Sequence, residues 1–138
     1  MRGQLSWLTL GAAFCFSIAV MAGEKAPDSY VKNMKDTNAA AQNLRKSVTA
    51  KDYAAVAKDA ATLKELFGTT EAFWTERKTD DAIAAAKAGV KAATDLEAAA
   101  NAKDEAGVTE SAKAVQATCK TCHDAHRERL PDGTSEIK

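Results

Sequence analysis

Only two prolines occur in this 138-residue chain, Pro27 and Pro131, and none lies between them. Proline is tolerated in the first turn of a helix and otherwise ends helices, so the pair brackets a stretch free to be helical throughout. That stretch is rich in alanine and lysine, has few β-branched runs, and repeats its apolar positions every three or four residues. Such spacing returns a side chain to one face of a 3.6-residue turn. The expected fold is all-α, with four helices and no strands.

The first helix is expected from about Pro27 to Thr49, with Tyr30, Met34, Thr37, Ala41, Leu44 and Val48 on its inner face. Asp52 is a good N-cap for a second helix running to Phe67, where Gly68 supplies a stop. Its inner face is Tyr53, Val56, Ala57, Ala60, Leu63 and Phe67. The third spans about Thr70 to Ala100 and carries Phe73, Trp74, Ile83, Val90 and Leu96; Thr79-Asp80-Asp81 offers a second N-cap and so a break. The fourth runs from near Asp104 to about Leu130. Val108, Ala112, Val115, Cys119, Cys122 and His126 form one seam along it, at spacings of four, three, four, three and four. Short connections make neighbouring helices antiparallel, giving an up-down-up-down four-helix bundle. Many inward alanines leave a thin core unless something else fills the interior. Residues 132–138 are polar and expected to fray.

Residues 1–22 read as a secretory signal peptide. Arg2 supplies a positive start, Leu5 to Val20 is uncharged and mostly apolar, and Val20-Met21-Ala22 resembles a cleavage site. The same run, extended through Ala22, approaches the ~20 residues of a membrane span, so an uncleaved anchor is the alternative. Cys15 follows the bulky Phe14, which makes a poor lipobox. Export to the periplasm leaves one domain, residues 23–138, with no span of its own. Removing residues 1–22 takes away Arg2 and no acid, leaving 18 basic and 19 acidic side chains. A nucleic-acid partner would favour a clear basic excess, and none is present. Cys15 also departs, so two cysteines remain, too few for a disulfide framework.

Both remaining cysteines lie in Cys119-Lys120-Thr121-Cys122-His123. Two cysteines three apart, followed at once by histidine, read as a c-type haem attachment site. Each thiol adds to one vinyl group, and His123 turns its imidazole to the iron as an axial ligand. Two rival readings have physical obstacles. A thiol-redox pair favours a helix N-terminus, whereas this pair sits where the dipole opposes a thiolate. A zinc site drawing on Cys119, Cys122, His123 and His126 has suitable donors. However, successive residues on a helix point about 100° apart, which keeps Cys122 and His123 from converging on one ion.

The order of these features resembles the class II c-type cytochromes, the cytochrome c′ superfamily. Its members are exported four-helix bundles carrying one covalent haem near the C-terminus. The family places an arginine four residues after the haem histidine, and Arg127 fills that position. The resemblance implies a place for Arg127 beside the haem, on the His123 side; a basic residue complementing the helix C-terminus, as Arg129 also would, is the other reading. Phe73-Trp74-Thr75-Glu76-Arg77 looks like the tryptophan-bearing segment of the family's third helix, with Trp74 a packing residue. His126, three residues past His123 on the same helix, cannot reach the opposite haem face and is expected half-exposed at the haem edge.

The family has two branches, separated by what faces the histidine across the iron. A sulfur ligand gives low-spin iron suited to electron transfer; an apolar side chain leaves five-coordinate iron that binds a small gas. Met34 is the one methionine left after residues 1–22. Asn33-Met34-Lys35-Asp36 resembles the low-spin branch, which implies Met34 as the distal ligand; a core gap-filler is its other reading. Tyr30 and Val31 are the apolar neighbours of an open site, and Lys35 is a further candidate ligand. Two functions follow: a single-electron carrier between redox partner proteins, or a haem protein binding nitric oxide or carbon monoxide. Neither needs acid–base residues, and no constellation for enzyme catalysis is evident. Scattered charges read as solvated faces, with Lys120 placed to steer partners. The resemblance also implies pairing into a homodimer, for which the sequence carries no separate mark.

Overall fold

The computed structural model describes residues 23–138, and the expected signal peptide lies outside them. Four helices dominate: α1 Asp28–Thr49, α2 Tyr53–Arg77, α3 Asp80–Asn101 and α4 Glu105–His126. Three short strands accompany them, β1 Glu24–Lys25, β2 Arg127–Arg129 and β3 Ser135–Ile137. No helix among the described residues is long and apolar enough to cross a membrane.

The second helix does not stop at Phe67. It runs through Gly68 to Arg77, and the break falls instead at Lys78 and Thr79, beside the second N-cap signal. A helical glycine costs about 1 kcal/mol relative to alanine. Beyond Gly68, Thr70 and Trp74 continue the buried stripe of Val56, Ala60, Leu63 and Phe67. Burying one large apolar side chain contributes about 1.5–3 kcal/mol, so packing outweighs the glycine. Lys78 then takes a left-handed conformation, and the N–H groups of Lys78 and Thr79 close on the carbonyls of Thr75 and Trp74.

The other two turns share a device. Lys51 and Lys103 also have positive φ, at 54° and 55°, and each precedes an aspartate. Asp52 accepts a hydrogen bond from Ala55 N at 3.0 Å, and Asp104 from Gly107 N at 3.1 Å. A cap of this kind stabilises a helix start by about 1 kcal/mol.

The expected seam on α4 is present. Val108, Ala112 and Val115 are buried, and Cys119, Cys122 and His126 continue the line half-buried. Successive helices pack on one another, whereas α1 and α4 meet at only a few positions. The main core joins Leu44 of α1, Leu63 and Phe67 of α2, Leu96 of α3, and Val108 and Val115 of α4. A smaller cluster of Ala26, Trp74, Ala82 and Ile137 is flanked by Tyr30, Val31, Phe73 and Ile83.

Two expectations fail at the C-terminus. α4 ends at His126, not near Leu130, because Arg127 is extended (φ −121°, ψ 127°) and starts β2. The tail is not frayed. β3 lies between β1 and β2, antiparallel to both, with Arg127 and Glu24 each opposite Ile137. Pro131-Asp132-Gly133 forms the turn: Gly133 has φ +87°, and the Asp132 carboxylate accepts from Thr134 N at 2.8 Å and Thr134 Oγ1 at 2.6 Å. Ile137, 6% exposed, packs in the smaller cluster with Trp74. β1 is tied to α2 by the Arg77 guanidinium, which donates two 2.8 Å bonds to Glu24 and lies 4.5 Å over the Phe73 ring.

Candidate functional site

The gap between α1 and α4 holds two adjoining cavities of about 270 and 920 Å³. They share Tyr30, Met34, Asn38, Cys122, His123 and Arg127 as walls, so they form one cleft that narrows at those residues. The smaller cavity lies inward, floored by Phe67, Thr70, Ala85 and Ala86. The larger lies under the turn joining β2 and β3 and is also lined by Val31, Lys35, His126 and Arg129.

On the α4 side, Cys119 and Cys122 are free thiols, half-buried and three residues apart. Both have pKa values raised, chiefly by burial; the charge of Asp81 adds to the effect at Cys122. At neutral pH both stay protonated. His123 is held below its ordinary value of 6.5, mainly by burial and then by the Arg127 charge, with Asp124 opposing. Its imidazole is therefore neutral at pH 7, with a lone pair free for a metal or a proton.

On the α1 side the sequence pattern combined two adjacent stripes. Asn33, Thr37, Ala40 and Leu44 are buried, while Tyr30, Met34, Asn38, Ala41 and Arg45 face the cleft. Asn33 was not among the expected inner positions, because an asparagine breaks an apolar pattern, yet it sets the rotation of the helix. Its Nδ2 donates to Thr70 Oγ1 at 2.9 Å and Leu66 O at 3.3 Å on α2. Thr70 Oγ1 donates to Leu66 O at 2.9 Å, and Thr37 Oγ1 to Asn33 O at 2.7 Å. A buried asparagine is costly unless bonded, so this rotation of α1 is the favoured one. It directs the next residue, Met34, into the cleft opposite α4.

Arg127 is no longer helical, but its side chain lines both cavities and its backbone N–H bonds to His123 O. Lys35 and Val31 reach only the larger cavity, and Tyr30 reaches both. Burial pushes the Tyr30 phenol up to about 12. Its ring stacks on Phe73 with centroids 4.0 Å apart and meets the Trp74 edge at 6.0 Å. Trp74 is buried, and its Nε1 has no hydrogen-bond partner among the described residues. Lys120 pairs with Asp124 on the exposed face of α4 and lines neither cavity.

His126 is half-buried, in line with its expected partial exposure, and it is also held by specific contacts. Its side chain is 15% exposed, its Nε2 lies 2.9 Å from Asp81 Oδ2, and its ring stands 4.9 Å from that of Trp74. Nothing in the local sequence marks this pair, because Asp81 belongs to the first turn of α3. Among the described residues no three His, Cys, Asp or Glu side chains form a group that could hold a metal ion, so the four donors of the zinc reading are not assembled as one.

The arrangement is thus a half-open cleft with two protonated thiols and a neutral imidazole on one wall and a thioether on the other. No family model matches the chain, and no curated protein matches it by sequence. The chemistry has to be read from these residues.

Proposed function

We propose that the chain is an exported c-type cytochrome of the class II kind, carrying single electrons between redox partners through one covalent haem. One observation carries the reading: Cys119, Cys122 and His123 line, from α4, a cleft that Met34 lines from α1. The cleft exists because α1 and α4 hardly touch, and its cavities approach or fall within the roughly 300–1,000 Å³ usual for cofactor sites. The up-down-up-down topology belongs to the same proposal. Supporting it are the short turns around Lys51, Lys78 and Lys103, and a core drawn from opposite halves of successive helices.

Haem bound here would supply a one-electron iron couple whose potential depends on the axial ligands. The chain's own residues have distinct tasks. Cys119 and Cys122, whose thiols burial keeps protonated, would hold the group covalently through thioether links. His123 offers a neutral nitrogen, which Arg127 helps keep unprotonated. Met34 offers a soft sulfur. Tyr30, Phe67 and Ala86 limit water on the inner side. Arg127 and Lys35 supply positive charge at the larger cavity. No residue is needed as an acid or base, so the proposed role is transfer of electrons and not catalysis.

The test is an optical spectrum of the purified protein in both oxidation states. A low-spin spectrum that becomes high-spin on Met34→Ala supports the carrier. A high-spin ferrous spectrum unchanged by that substitution favours the gas-binding alternative. Covalent haem that survives Cys119→Ser with Cys122→Ser overturns both.

A further inference from the structure

Behind the cleft floor, Gly68 of α2 and Gly89 of α3, neither of which lines a cavity, look alike in sequence but differ in space. A Cβ at Gly68 would have nothing within 4 Å, whereas one at Gly89 would lie 2.6, 2.7 and 2.9 Å from Phe67 Cδ1, Cγ and Cε1. Those distances are far inside van der Waals contact with three ring atoms at once, so a methyl group at 89 and the present Phe67 ring cannot coexist. The displaced ring has few places to go. Phe67 is packed in the main core with Leu63 and Leu96, and its open side is the smaller cavity it already lines.

We infer that Gly89 is a positioning residue for the cleft: by letting the Phe67 ring rest against the α3 backbone, it sets how deep the inner cavity extends between Met34 and Cys119. The neighbouring floor residues on α3, Ala85 and Ala86, are also small, so α3 leaves the interior to Phe67 and to whatever planar group the cleft accepts. The consequence for haem rests on the function proposed above; the consequence for the cavity does not.

The experiment therefore reads both. In the full chain made without haem, the rate of iodoacetamide labelling at Cys119, which lines only the smaller cavity, is followed by peptide mass mapping so that Cys15 does not interfere. Gly89→Ala is expected to slow labelling several-fold, Gly68→Ala to leave it unchanged, and Gly89→Ala with Phe67→Leu to restore it. In the haem-loaded chain, Gly89→Ala is expected to lose the low-spin spectrum and the double variant to regain it. Wild-type labelling in Gly89→Ala, or no recovery in the double variant, overturns the inference. If Gly89→Ala does not fold, a folded double variant with normal labelling supports it and an unfolded one overturns it. The labelling pattern without haem attachment in the wild type would support the inference and sink the functional proposal; attached haem with indifferent labelling would do the reverse.

Discussion

His126 Nε2 and Asp81 Oδ2 lie 2.9 Å apart, so the helix carrying Cys119, Cys122 and His123 is pinned at its last turn to the first turn of α3. The bond holds Asp81 below its ordinary carboxyl value of 3.8, chiefly through His126. A lowered carboxyl pKa contributes stability above 3.8 that is lost as pH falls through the folded value. Asp81→Asn should therefore melt below the wild type at pH 7, and by a smaller margin at pH 3, below the ordinary carboxyl value. Equal differences at both pH values would mean that the pair contributes no charge-dependent stability.

The His123 shift has the same direction for a different reason. Burial holds its pKa below 6.5, so the unfolded chain takes up a proton before the folded one does. The haem-free protein should keep this stability above pH 6.5 and lose it progressively as pH falls below that. Urea unfolding of His123→Gln between pH 7 and pH 5 should show a shallower dependence on pH than the wild type. An identical slope would place the titration elsewhere.

Lys103 holds a left-handed conformation, φ 55°, at an exposed turn. A side chain there costs about 1 kcal/mol that glycine avoids. Lys103→Gly should raise the melting temperature by several degrees, and Lys103→Ala, which keeps the Cβ, should not. Lys51 is a less clean site because its ammonium also pairs with Glu105 at 2.7 Å.

Within residues 23–138, Trp74 is the only tryptophan, and Ile137 packs in its cluster. Ile137→Ala should shift the Trp74 emission to longer wavelength and expose the sheet to early hydrogen exchange. The loss in global stability should fall at or below the low end of the roughly 2–5 kcal/mol for buried isoleucine, because a terminal sheet can open by itself. Unchanged emission would show that β3 does not cover the tryptophan.

The α4 stripe was legible from sequence because its inward residues recur at helical spacing for the whole length of the element. The same periodicity marked four helices, but it set the second and third boundaries at Phe67 and Thr70; only the Thr79-Asp80-Asp81 cap signal pointed to the break that falls before Asp80. Gly68 misled because a local propensity of about 1 kcal/mol is smaller than the burial of the residues beyond it. β1 and β3 had no periodic signal, since two or three residues are too few and their partners come from opposite ends of the chain. Pro131-Asp132-Gly133 was the one local mark of that turn.

Residue order alone thus determined which side chains share a helix face, and it placed Cys119, Cys122 and His123 together on one turn of α4. It could not determine what faces them. That depended on the rotation of α1, held by Asn33 against Thr70 and Leu66, and on the separation of α1 from α4. The bonds that decide it join residues more than thirty positions apart, so they arise only when the helices pack.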